Sequence, residues 1–247
     1  MMTDEHPVDE CRIAKLGESR VADICAVQES VCSQLALPEL YFPLAHQEIE
    51  ELTGPDAICV GAEAGGRLVG FFGVLFMGKR EDNVGHDLGL PSHELQLVAY
   101  FKAINVLPEY RGRGLQKRLT QALFAEMGVD PPPTLASGHC SIPPAARLAH
   151  QPFEWLCSTV SPRNQPSLKS FIDCGFVVQG LKPKYRGYMR FLMNRRRQYK
   201  PREHGDFVPV PVTDYETQIN LLKRGWVGVA LEGGRTDSQI RYVPFEG

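Results

Sequence analysis

The chain has 247 residues, 43% hydrophobic and 23% charged, enough to bury a full core as one large domain or a domain with an appendage. A formal net charge of −2 gives no global case for nucleic acid, and no apolar run approaches the ~20 residues that span a bilayer. Met1 to Asp9 is acidic without the apolar stretch of a signal peptide, and the seven cysteines form no CxxC pair, reading as small core hydrophobes in a reducing, cytoplasmic setting.

In chain order, Cys11 to Leu16 alternates as a first strand, and Glu18 to Leu35 carries a helical stripe through Val21, Ile24, Val27 and Val31. Leu44 to Leu52 is a weaker helix stopped at Gly54-Pro55. The apolar runs Ala57 to Ala64 and Leu68 to Met77, with Gly65-Gly66 between them, predict a hairpin. Met77 to His93 is polar and glycine-bearing and reads as a loop. Leu95 to Val106 is a long strand, and Leu115 to Met127 has one apolar helical face, through Leu115, Leu119, Ala122, Leu123 and Met127. Pro131 to Pro144 is read as an irregular connection. Then come a buried strand (Trp155 to Val160), a short helix (Gln165 to Cys174) ended by Gly175, and strands Phe176 to Leu181 and Tyr188 to Met193. After a charged break, Arg195 to Asp206, the tail predicts a helix (Asp214 to Arg224) and a hairpin of Trp226 to Leu231 with Gln239 to Val243. The expected class is α/β: a single mixed, mostly antiparallel twisted sheet flanked by helices. Residues 1–198 are read as the main domain and 199–247 as a helix-plus-hairpin extension that could cap a cleft, extend the sheet or form a homodimer contact.

The most informative stretch joins the long strand to the helix after it, Ile104-Asn-Val-Leu-Pro-Glu-Tyr-Arg-Gly-Arg-Gly-Leu-Gln116. Strand, glycine loop and helix present unpaired backbone N–H groups at a helix N-terminus to a phosphate. Gly112 and Gly114 let the backbone approach an anion, and Arg111 and Arg113 add charged donors.

The order of elements and this loop resemble the GNAT superfamily of N-acetyltransferases, over roughly residues 9 to 195. The family's acyl-CoA signature is Arg/Gln-x-x-Gly-x-Gly/Ala. Arg111-Gly112-Arg113-Gly114-Leu115 fits its first five places, and Gln116 departs at the sixth. Asn164, Ser167, Phe171, Gly175 and Phe176 fit a second family pattern, except that Phe171 stands where a proton-donating tyrosine is usual.

The resemblance implies direct attack of a primary amine, on a small molecule or peptide, on the thioester of acetyl-CoA, with no metal. It assigns diphosphate to backbone N–H groups of Arg113, Gly114, Leu115, Gln116 and Lys117, supported by Arg111 and Arg113. Pantetheine goes to the exposed backbone of Ile104, Asn105 and Val106, with Asn164 and Ser167 beside it. Relatives often place a base on the cradle strand six residues before its last apolar position, which falls on Tyr100. Glu94 is the nearest carboxylate of the same parity. His86 and His93 could line an acceptor pocket. The basic run Lys182 to Arg202 reads either as a solvated strand face and linker or as a site for an anionic partner, such as the cofactor's 3′-phosphate or an RNA backbone. A catalytically weak acyl-CoA-binding module and an acyltransferase on an RNA or ribosomal substrate remain as alternatives.

Overall fold

The computed structural model describes residues 11–130, 152–198, 205–234 and 237–245. Its centre is one ten-stranded sheet in the order β1-β2-β3-β4-β5-β7-β6-β9-β10-β8. The strands are β1 (Arg12–Leu16), β2 (Ala57–Ala64), β3 (Arg67–Phe76), β4 (Val98–Val106), β5 (Trp155–Val160), β6 (Val177–Lys184), β7 (Tyr188–Arg196), β8 (Val208–Pro211), β9 (Trp226–Glu232) and β10 (Gln239–Pro244). Among the described residues only the β4–β5 pairing is parallel, as the expected mixed sheet requires.

Seven α-helices flank the sheet among the described residues: α1 (Val21–Ser33), α2 (His46–Thr53), α3 (Val84–Asp87), α4 (Ser92–Leu95), α5 (Leu115–Met127), α6 (Gln165–Asp173) and α7 (Tyr215–Lys223). Successive side chains of a strand point to opposite faces, and two glycines of β3 show which helix covers which. A methyl group on Gly73 would meet Leu52 of α2 at 2.3 Å, and one on Gly70 would approach Leu119 of α5 at 3.4 Å. So α2 covers one face, with α1 packed against it, and α5 covers the other. The apolar face read from the sequence for α5 is the buried one, with Leu115, Leu119, Ala122, Leu123 and Met127 all at 3% exposure or less.

Three boundaries differ from the sequence reading. The segment read as a loop from Met77 holds the single-turn helices α3 and α4, and β4 starts at Val98 because Ser92–Leu95 is helical. β7 runs on through Arg195 and Arg196, where a charged break was expected. Arg195 is 4% exposed, bonded to the carbonyls of Cys174 (2.6 Å) and Asp130 (3.3 Å), with its guanidinium 5.3 Å from the Phe124 ring centre. Charge alone hid a strand whose arginines are satisfied by backbone and aromatic faces. β8, Val-Pro-Val-Pro, was missed. The Pro131 to Pro144 connection lies outside the described residues.

Of the three roles open to the tail, the structure shows sheet extension. β9 joins β6 antiparallel at Val178 and Gly228, and α7 packs on both strands. No helix among the described residues is long and apolar enough to cross a membrane, and no group of three or more metal-ligating side chains occurs among them.

Candidate active site

β4 and β5 form a fork. Their parallel ladder runs only from Val98–Trp155 to Phe101–Ser158, whereas β4 continues to Val106 and β5 to Val160. At the crotch, Ser158 Oγ donates to the Phe101 carbonyl at 3.2 Å. On its other side β4 stays paired with β3, but two steps of β4, from Ala103 to Phe101, oppose one step of β3. Lys102 is the extra residue of this β-bulge, a device that re-aims backbone and side chains locally. Beyond the crotch, β4 thus shows one free backbone edge into a cleft with an empty volume of about 740 Å³, open mouth included.

The α1–α2 connection forms one wall. Gln28, 7% exposed, accepts from Leu44 N at 2.8 Å and donates to Leu44 O at 2.9 Å. Tyr41 Oη donates to Gln28 Oε1 at 2.7 Å and accepts from Asn105 Nδ2 at 2.9 Å. This chain of bonds pins the connection to β4, and burial drives the Tyr41 phenol well above its usual pKa. The β6–β7 hairpin forms the opposite wall. Its turn residues Tyr185 and Arg186 take φ values of 42° and 67°, a left-handed conformation that costs non-glycine residues energy and persists where surroundings hold it. Tyr185 is held by its ring, stacked on Phe42 at 4.9 Å, and by its hydroxyl, 2.7 Å from Tyr100 Oη and 3.2 Å from Thr159 Oγ1.

Gly112 and Gly114 have φ values of 74° and 78°, and a methyl group on either would meet nothing within 4 Å. Gly114 is the N-cap of α5 and contributes no side-chain cap, and the first turn carries no acid. The helix N-terminus therefore faces open space with its backbone donors and its positive dipole end. Arg111 bends back, Nε donating to the Val106 carbonyl at 3.0 Å, and so braces the loop against the end of β4. Leu115 is buried in the core, and Gln116 points toward a small gap between α5 and α6 that Phe101, Ile104 and Phe171 also line. Asn164 caps α6 through Ser167 N (3.3 Å) and donates to the Leu40 carbonyl (3.2 Å), tying that helix to the first wall.

The cleft brings Tyr100, Ile104, Asn164 and Ser167 together. Tyr100 is 5% exposed, and burial pushes its phenol far above its usual pKa, with Tyr185 adding to the rise. Glu94 lies elsewhere, on α4, where it accepts from the Trp155 indole at 2.5 Å and lies 3.9 Å from Arg196. The Asn105 side chain donates to Tyr41 from Nδ2 and so braces the first wall. His86 and His93 do not line the cleft.

Three cleft residues were given no individual role from the sequence: Glu48, Tyr185 and Arg190. Glu48 accepts from Lys102 Nζ at 2.7 Å and from Ala45 N at 2.8 Å. Burial opposes its ionisation, but these two donors outweigh it and hold the carboxyl below its usual range. A carboxylate three residues after the N-cap of a short helix was the available signal, one that reads equally as ordinary helix capping. Tyr185 and Arg190 sat inside the basic run, several of whose other described members are held within the chain. Lys182 and Lys184 both pair with Asp87, and Arg196 lies 3.7 Å over the Trp155 ring.

Residues 26–128 match the model of the acetyltransferase (GNAT) family. No curated protein matches the chain in sequence. Among solved structures, a GNAT-family acetyltransferase from Streptococcus pneumoniae aligns with a TM-score of 0.51 at 16% identity, over 76% of this chain and 99% of that one. An N-acetyltransferase from Staphylococcus aureus Mu50 aligns with a TM-score of 0.50 at 16% identity, over 76% and 99%. The yncA protein of Salmonella typhimurium, solved with acetyl-CoA, aligns with a TM-score of 0.50 at 14% identity, over 80% and 99%. The described architecture is the GNAT acyltransferase fold, and the segment running from α1 to the end of α5 carries that family's sequence match.

Proposed function

We propose that the protein transfers the acetyl group of acetyl-CoA to a primary amine of a small molecule or peptide, by direct attack, in the cytoplasm. The observation that carries this reading is the forked β4–β5 pair opening beside a glycine-capped, acid-free helix N-terminus. Acetyl-CoA brings an activated thioester and a thiol leaving group. Backbone N–H groups from Gly112 to Lys117 receive its diphosphate, in space that no side chain of Gly112 or Gly114 obstructs. The free edge of β4 from Ile104 to Val106 pairs with the amide-bearing arm as an added strand would.

Within the cleft, Glu48 is the ionised carboxylate available to take the proton of the attacking ammonium, directly or through water. Lys102 keeps that carboxylate charged and oriented. Tyr100, neutral because buried, serves with Tyr185 and Thr159 as a fixed hydroxyl cluster that orders water near the amine. Phe171 has no proton to give, so the thiolate departs unassisted, tolerable for a thiol of pKa about 8.5. Glu94, committed to Trp155, is left with a structural part.

Thiol release from acetyl-CoA across an amine panel, together with calorimetric titration of acetyl-CoA, tests the proposal. Saturable binding with turnover of at least one amine class is expected, and absence of binding overturns it. Phe171 favours one second reading, an acyl-CoA-binding module with little turnover; tight binding with no release on any amine would select it.

A further inference from the structure

Arg190 is 3% exposed, lines the cleft, and has no carboxylate partner among the described residues. Nη1 donates to the Met189 carbonyl at 3.1 Å, while Nη2 is buried and meets no acceptor. Its guanidinium lies 5.6 Å from the ring centre of Tyr185 and 5.9 Å from that of Tyr188. The carboxylate whose charge reaches it, Glu39, is already paired with Arg163 at 3.0 Å. Burial alone lowers its pKa, yet an arginine stays protonated.

An unpaired buried charge is among the costliest features a core can carry, and a well-packed apolar residue of similar size would be more stable there. Rings on two sides provide the low-dielectric walls in which a charge-assisted, planar contact to an anion is strongest. Among the described residues lining the cleft, the other two charged ones, Glu48 and Lys102, neutralise each other, which leaves Arg190 as the uncompensated charge of that set.

We propose that Arg190 recognises a carboxylate on the acceptor, so that the substrate is a small amino-carboxylate: its amine is directed to Glu48 and its carboxylate to the orphaned Nη2 of Arg190. The word acceptor rests on the transferase reading above, but the recognition of a carboxylate does not. Tyr185 lines the same cleft beside Arg190, its ring centre 5.6 Å from the guanidinium, so a carboxylate entering there meets the charge against an aromatic face.

The test uses the full chain with CoA bound and a panel of L-amino acids against the amines of the same carbon skeletons lacking the carboxylate, with Kd measured by calorimetry and turnover by thiol release. For the wild type, at least one amino acid is expected to bind about tenfold to a hundredfold more tightly than its decarboxylated amine, the range of a hydrogen-bonded charge contact. Arg190→Met should erase that preference, leave acetyl-CoA binding intact, and raise the Tm of the free protein by removing the uncompensated charge. Arg190→Lys should retain only part of the preference, because it lacks the planar fork. Equal binding of both ligand classes to the wild type, or a preference that survives Arg190→Met, overturns the proposal. So does a Tm that falls in Arg190→Met with carboxylate binding unchanged, the mark of a structural arginine. Amino acids that bind through Arg190 but are never acetylated would sink the transferase reading and leave this one standing.

Discussion

The phenol oxygens of Tyr100 and Tyr185 lie 2.7 Å apart although 85 residues separate them in the chain. Tyr100 stands on β4 at the crotch of the fork and Tyr185 on the hairpin turn opposite, so the bond closes the cleft across its width. Tyr185→Phe removes the hydroxyl contacts to both Tyr100 and Thr159 and is expected to cost about 1–2 kcal/mol, or a Tm drop of about 2–8 °C for a chain of this size. Tyr100 would keep its bond to Thr159 at 2.9 Å. Thermal unfolding checks the loss, and an unchanged Tm would mean that the turn is held by the Phe42 stack alone.

Glu48→Gln should lower the acetyl-transfer rate by about 10²-fold or more, the range for loss of a positioned base, with acetyl-CoA affinity unchanged. Steady-state kinetics beside calorimetry separates the two effects. A variant that turns over at the wild-type rate removes Glu48 from the reaction.

The same residue sets a pH dependence. Its folded-state carboxyl titrates below the ordinary 4.5, so the stability from its bonds to Lys102 and Ala45 is present above pH 4.5 and lost as pH falls through the lower, folded value. Asp87, held down by Lys182 and Lys184 against the opposing effect of burial, adds to the same acid limb from its own usual 3.8. Tm measured between pH 6 and pH 3 (~3 units, spanning both carboxylates) should fall less steeply in Glu48→Gln than in the wild type.

Gly114→Ala and Gly114→Glu distinguish strain from charge at the helix entrance. Both force an L-residue to φ near 78°, at about 1–2 kcal/mol, and a Cβ there meets nothing within 4 Å. Only the glutamate brings a negative charge to the N-terminus of α5. Calorimetry should show modest weakening of acetyl-CoA binding by alanine and its abolition by glutamate. Normal binding by the glutamate variant would dismiss the diphosphate assignment.

Glu94→Gln is expected to reduce Tm while leaving kcat and the acetyl-CoA Kd where they were, because its partners are Trp155 and Arg196 and it does not line the cleft. A kcat that falls with no change in Tm would return Glu94 to the chemistry.

Much of the frame was legible because it rests on local rules. The spacing of Leu115, Leu119, Ala122, Leu123 and Met127 fixed both the limits and the buried face of α5, and Gly112 and Gly114 announced the left-handed loop before it. The cleft was harder to read. Its fork arises from the end of a ladder between strands about 50 residues apart, and the Lys102 bulge breaks the alternation on which counting back along β4 depends. Glu48, Tyr185 and Arg190 come to one cleft only through tertiary packing, from a short helix, a hairpin turn and a strand, and their local sequence reads equally as helix capping or a solvated basic run. Arg190 and Arg195 further show that an arginine in a basic run says nothing of its burial until its neighbours are in place.

The last strand in the sheet order, β8, reads Val208-Pro-Val-Pro211, in register with Tyr242 through Gln239 of β10. Its prolines occupy alternate positions and carry no N–H, so the two valines supply the donors toward β10, and the outward rim has no amide hydrogens at Pro209 and Pro211 to offer a newcomer. A polypeptide arriving there finds carbonyls without matching donors. That border is terminated chemically, and fibrous or edge-to-edge growth from it is discouraged by the covalent structure of two residues.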